Sequence, residues 1–218
     1  MMKYLIIGLL SVCNCYSQTS EAYLKSGLNK EKRENYVGAI VAFSKAIELN
    51  PNDATAYNYR GFARSKIKDF RGSIVDFNKA IELNPDDATA YIYRGHSKAS
   101  LEDDRGAIAD YNKAIELNPS NEDVYIYRGS SKETLEDYAG AIADYSKAIE
   151  HYPYDANAYI YRGHSKASLK DYRGAIADYS KAIELNPNND YAYFNRGYVK
   201  GELEDFRGSI VDFNKAIE

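Results

Sequence analysis

A period of 34 residues governs this sequence. Arg-Gly pairs recur at Arg60-Gly61, Arg94-Gly95, Arg128-Gly129, Arg162-Gly163 and Arg196-Gly197, and all five prolines (Pro51, Pro85, Pro119, Pro153 and Pro187) keep the same step. Self-similarity at a fixed spacing of roughly 20–50 residues marks a small unit that cannot bury its own apolar faces and is stable only when stacked on copies of itself. With positions numbered from one to 34, the repeats run 20–53, 54–87, 88–121, 122–155, 156–189 and 190–218, the last reaching its twenty-ninth position.

Each unit reads as two helices. In the third, Tyr91, Arg94, Gly95 and Lys98 fall on one face of the first helix, and the small Gly95 admits a close neighbour. The second helix offers Ala107, Ile108, Tyr111, Ala114 and Ile115, an amphipathic stripe. Asn35, Asp69, Asp103, Asp137, Asp171 and Asp205 stand where they can cap the second helices. Asp53, Asp87, Asn121, Asp155 and Asn189 can do the same for the first helices that follow. Each proline stops the helix before it.

The positions that stay constant across the units resemble the tetratricopeptide repeat (TPR). That pattern asks for a large residue at position 4, Gly or Ala at 8, an aromatic at 17, Ala at 20, an aromatic at 24, Ala at 27 and Pro at 32. The second unit supplies Tyr57, Gly61, Phe70, Ser73, Phe77, Ala80 and Pro85, and the fifth Tyr159, Gly163, Tyr172, Ala175, Tyr179, Ala182 and Pro187. The third unit departs from it with Asp104 at position 17. The resemblance implies an all-α, right-handed superhelical solenoid over 18–218, acting as a non-enzymatic scaffold that binds a protein or peptide.

Comparison among the repeats predicts one contact. Position 7 is Arg and position 23 is Asp in units two to six, and both are missing together in the first, as Ser26 and Ala42. The expected pairs are Arg60–Asp76, Arg94–Asp110, Arg128–Asp144, Arg162–Asp178 and Arg196–Asp212.

A second face of the first helix, about 80° to 200° from position 4 on a helical wheel, has no partner inside the hairpin. In the family it lines a concave groove for peptides. It carries Asn58, Ile92, Ile126, Ile160 and Phe194 at position 5, and Tyr59, Tyr93, Tyr127 and Tyr161 at position 6. Phe62, His96, Ser130, His164 and Tyr198 follow at position 9. Aromatic and aliphatic anchors of this kind carry binding hot spots. For position 6, packing between neighbouring repeats competes evenly with the groove. The Lys, Arg and Asn pattern that clamps a partner's terminal carboxylate in some family members is absent.

Residues 1–17 lie outside the repeat. Lys3, the apolar run from Tyr4 to Val12, and the small Cys15 and Ser17 read as a secretory signal peptide cut before Gln18. The run is too short to span a bilayer. A lipid anchor on Cys13 is the alternative, although Val12 fits that motif poorly. Both cysteines precede the cut, so the exported chain needs no disulfide, and periplasmic or extracellular placement in a bacterium is expected. Without Lys3 the formal charge is −5 and no basic block stands out, which argues against nucleic acid as a partner.

No nucleophile–base pair, phosphate loop or metal-ligand spacing rises above the repeat, so no cofactor or metal is expected. Exported glycan or peptidoglycan binding on groove tyrosines is the competing class, and a structural spacer a weaker third. Ile210, Phe213 and Ile217 lie near an end with no covering helix, so the sequence is expected to be a fragment of a longer array, with docking of that end on another molecule as the alternative. For the chain as given, a frayed last helix and self-association are expected.

Overall fold

The computed structural model describes residues 19–218, and all elements among them are helices. Residues 19–31 form α1. Eleven helices follow, α2 (Tyr36–Leu49), α3 (Ala54–Lys66), α4 (Phe70–Leu83), α5 (Ala88–Ala99), α6 (Asp104–Leu117), α7 (Glu122–Thr134), α8 (Tyr138–His151), α9 (Ala156–Ser168), α10 (Tyr172–Leu185), α11 (Asp190–Glu202) and α12 (Phe206–Ala216). The signal-peptide and Cys13 readings fall outside the described residues. Among those residues no helix is long and apolar enough to cross a membrane. The chain divides into two compact units, one ending at Asp110 and one running from Tyr111 to Glu218.

The turn inside each hairpin is the same six times. Position 15 (Glu34, Lys68, Glu102, Glu136, Lys170, Glu204) adopts a left-handed φ of 58° to 64°, without a glycine. This closes a Schellman-type end: the position-16 amide donates five residues back, as from Asp137 to Lys132 and from Asp171 to Lys166, both at 2.9 Å. The left-handed conformation costs about 1–2 kcal/mol at a non-glycine residue. The position-16 side chain then caps the second helix, accepting from the position-19 glycine amide at 2.9–3.0 Å in every unit. The constant glycine is thereby explained, since a Cβ at Gly72 or Gly174 would overlap the capping carboxylate. Among the first-helix caps, Asn121 makes no side-chain capping bond and so corrects the expectation, whereas Asp53, Asp87, Asp155 and Asn189 do cap.

Within each unit the cores are built from position-24 rings laid over position-8 glycines, Phe43 over Gly27 and Phe77 over Gly61 in the first, Tyr145 over Gly129 and Tyr179 over Gly163 in the second. Phe43, Phe77, Tyr111, Tyr145 and Tyr179 are at most 1% exposed. All five Arg–Asp pairs form, with two parallel bonds each: Arg128 Nε and Nη2 reach Asp144 at 2.9 and 2.5 Å. Two partners escaped the sequence reading. A position-11 cation bonds the same carboxylate, as Lys132 does to Asp144 at 2.8 Å and Lys166 to Asp178 at 2.7 Å. The remaining guanidinium nitrogen donates to position 25 of the preceding repeat, as from Arg128 to Asn112 at 2.6 Å and from Arg162 to Ser146 at 3.1 Å. The guanidinium also lies 5.3–5.7 Å from the ring of the position-4 tyrosine three residues earlier. One buried Asp thus ties a hairpin together, while its Arg links that hairpin to the one before. Ile210 on α12 and Ile217 just after it are exposed, and Phe213 is half-buried against Phe194.

Candidate functional site

The first helices position the expected face, and stacking divides it. Each position-6 tyrosine lies on the position-24 ring of the preceding repeat. In the first unit Tyr59 stacks on Phe43 at 5.7 Å and Tyr93 on Phe77 at 6.1 Å. In the second, Tyr127 meets Tyr111 at 6.1 Å and Tyr161 meets Tyr145 at 5.7 Å. These rings serve packing between repeats and keep only part of their surface free. Ile160 corrects the expectation outright. It is 3% exposed, in a core cluster with Tyr179, Ala192 and Val199. The helical wheel counted only the partner within the hairpin, whereas residues of the following repeat cover Ile160. Ile92 and Ile126 are half-buried, while Ser130, His164, Phe194 and Tyr198 are exposed.

In the first unit four expected residues come together. Asn58, Tyr59, Phe62 and Tyr93 line a cavity of about 320 Å³, with Glu31, Thr55, Asp87 and Thr89 completing it. Phe62 and Tyr93 meet edge to face at 5.0 Å, and Tyr93 lies 6.2 Å from the ring of His96. Asn58 donates through Nδ2 to Asp87. Asp87 in turn caps α5 by accepting from Thr89 at 3.0 Å. The cavity therefore joins the aromatic walls of Tyr59, Phe62 and Tyr93 to a polar floor, the arrangement of a side-chain pocket.

The second unit treats the same surface differently. Glu133, on α7, accepts from Ser165 at 2.9 Å, lies 2.6 Å from Nδ1 of His164, and accepts from the Tyr145 hydroxyl at 3.1 Å. His164 is thus a structural partner as well as a surface residue. Three family models match the sequence: a TPR-repeat model over 32–68 and 163–204, and two tetratricopeptide-repeat models over 94–156 and 54–87. The chain belongs to the tetratricopeptide-repeat family. No curated protein matches it by sequence.

Solved TPR structures share the all-α solenoid architecture. The structure of YrrB, described as a TPR protein with an unusual peptide-binding site, is 26% identical, with a TM-score of 0.70 over 81% of this chain and 91% of that one. The MamA protein is 24% identical, with a TM-score of 0.73 over 78% and 93%. A tetratricopeptide repeat protein from Parabacteroides merdae is 16% identical, with a TM-score of 0.79 over 92% and 79%.

Two histidines at equivalent places in this TPR chain titrate in opposite directions. Burial, helped by the charge of Lys66, lowers His96 to about 4. The Glu133 hydrogen bond raises His164, outweighing its burial. Burial would push Glu133 up, but its bonds from His164, Ser165 and Tyr145 hold it below the ordinary range. In the first unit the unfolded chain binds the extra proton between about pH 4 and 6.5, so stability there falls as pH falls through that window. In the second, the His164 contribution is complete below the unfolded value near 6.5 and is lost as pH rises through the higher folded value. An NMR titration is expected to place the two imidazoles on opposite sides of the free value. Removing Glu133 as Glu133→Gln is expected to bring His164 back down while leaving His96 in place.

Proposed function

We propose that this TPR chain is a non-enzymatic scaffold that holds a peptide or protein partner against the first-helix face of its hairpins. The observation that carries the reading is the cavity of Asn58, Tyr59, Phe62 and Tyr93, sized for one side chain and walled by rigid rings. The peptide-binding site of the similar YrrB supports it. Glycan stacking draws less support, because the position-6 tyrosines spend one ring face on the preceding repeat. Export belongs to the same proposal and rests on the leader-like residues Met1–Ser17 alone.

The test is a selection of capped random peptides on the purified chain, followed by calorimetry of the enriched sequences. Phe62→Ser combined with Tyr198→Ser is expected to keep the helical circular-dichroism signal and to weaken those peptides by about tenfold or more. Unchanged affinity would remove this face as the site. His164→Asp is a poor probe, since it would set two carboxylates against each other at Glu133.

A further inference from the structure

Glu31 and Glu133 occupy the same position, the twelfth, in the first and fourth repeats, while the other four units carry Ser65, Ala99, Ala167 and Gly201 there. Glu133 is fully engaged by three residues: His164, Ser165 and Tyr145. The places equivalent to those three, around Glu31, hold Phe62, Ala63 and Phe43. Every donor that serves Glu133 is replaced by an apolar side chain. Glu31 Oε2 is accordingly buried with no hydrogen-bond partner among the described residues. Leaving such an acceptor unmet is costly, more so for a charged group.

A second orphan lies beside it. Asn58 spends its amide nitrogen on Asp87, a capping carboxylate, which fixes the orientation of the amide. Its Oδ1 is likewise buried without a hydrogen-bond partner among the described residues. Both residues line the same cavity, so its polar side offers two unmet acceptors. The walls are Tyr59, Phe62 and Tyr93, whose ring faces carry negative electrostatic potential. One of them already takes an ammonium: Lys66 Nζ stands 4.9 Å over the Phe62 ring. Burial pushes the Glu31 carboxyl up, and the opposing influence is the positive charge of Lys66.

We propose that this cavity, formed by α1, α3 and the start of α5, takes the primary ammonium of a lysine side chain on the bound peptide. The ammonium supplies three donors to Glu31 and Asn58, and its alkyl stem lies along the aromatic walls. The inference rests on the peptide-scaffold reading and names the chemistry of one subsite within it.

Three capped tripeptide amides decide the matter: Ala-Lys-Ala, the same peptide with Nε-acetyl-lysine, and the same with norleucine. The lysine peptide is expected to shift the backbone amide signals of residues 55–62 and 87–93. It should bind at least about tenfold more tightly than either analogue. Glu31→Gln should bring lysine down to the norleucine level, with amide dispersion retained. Lys66→Ala, which removes the competing cation, should tighten lysine binding. Equal binding of lysine and norleucine by the native chain would overturn the proposal whatever the variants do. So would an unchanged lysine affinity in Glu31→Gln. If selected peptides bind but show no preference for lysine, this inference falls and the scaffold reading stands; if no peptide is retained, both fall.

Discussion

Replacing Arg128 with alanine is expected to cost the second unit about 3–5 kcal/mol. Asp144 is 3% exposed at its side chain, so loss of the guanidinium strands a buried carboxylate on Lys132 alone. The same substitution breaks the bond to Asn112 of the preceding repeat and the contact with the Tyr125 ring, so cohesion between repeats falls along with the hairpin. Asp144→Ala removes the buried charge itself, and the double variant is expected to recover about 0.5–3 kcal/mol relative to additive losses. The first repeat shows what a matched removal looks like, with Ser26 and Ala42 replacing both partners at once. By contrast, breaking the exposed Lys147–Glu150 pair, 55% and 61% exposed, is expected to leave stability nearly unchanged, because solvent screens it. Urea denaturation, read together with hydrogen exchange of amides in 111–218, checks each value. Additivity would show that the two charges act independently.

Tyr179→Ala is expected to cost about 3–5 kcal/mol, the range for removing a large core aromatic. Tyr179 is 1% exposed, and its cluster joins three helices through Tyr159, Ile160, Ala175, Ala192 and Val199. Its ring lies so close to Gly163 that a Cβ there would stand 2.8 Å away, so the helices are held apart by this ring and cannot collapse cheaply into the void. Tyr179→Phe is expected to be nearly neutral, because Phe43, Phe77 and Phe213 occupy the equivalent place in three other repeats. Tyr145→Phe serves as the control with a hydroxyl function: it loses the bond to Glu133 and is expected to cost about 1 kcal/mol. Equal costs for the two Tyr→Phe variants would remove the Tyr145 hydroxyl from the Glu133 network.

The repeat made the fold legible, because every structural rule was written five or six times. The Arg–Asp pairs were readable for the same reason, since the first repeat lacks both members together. The position-11 cations were harder to place. Lys98 and its equivalents fall on the right face, but surface lysines are so common that nothing in the sequence singles out their bond to a buried carboxylate. The left-handed turn residues gave no signal, being Glu or Lys where glycine would have announced the conformation. Ile160 was misplaced because the wheel treats a hairpin in isolation, whereas stacking decides which residues of the outer face are covered. Glu133 and Glu31 were visible as departures from the repeat at position 12, yet their opposite fates depend on three neighbours contributed by other helices. In a repeat protein the departures hold the particular chemistry, and the repeated residues hold the frame.

Hydrogen exchange with and without a saturating selected peptide tests the scaffold reading most directly. The account predicts added protection on the first helices of the hairpins, beginning with α3 and α5 around Asn58 and Tyr93, and little change on the outer faces of α4, α8 and α10. Protection confined to the second helices, or spread evenly over the chain, would contradict it.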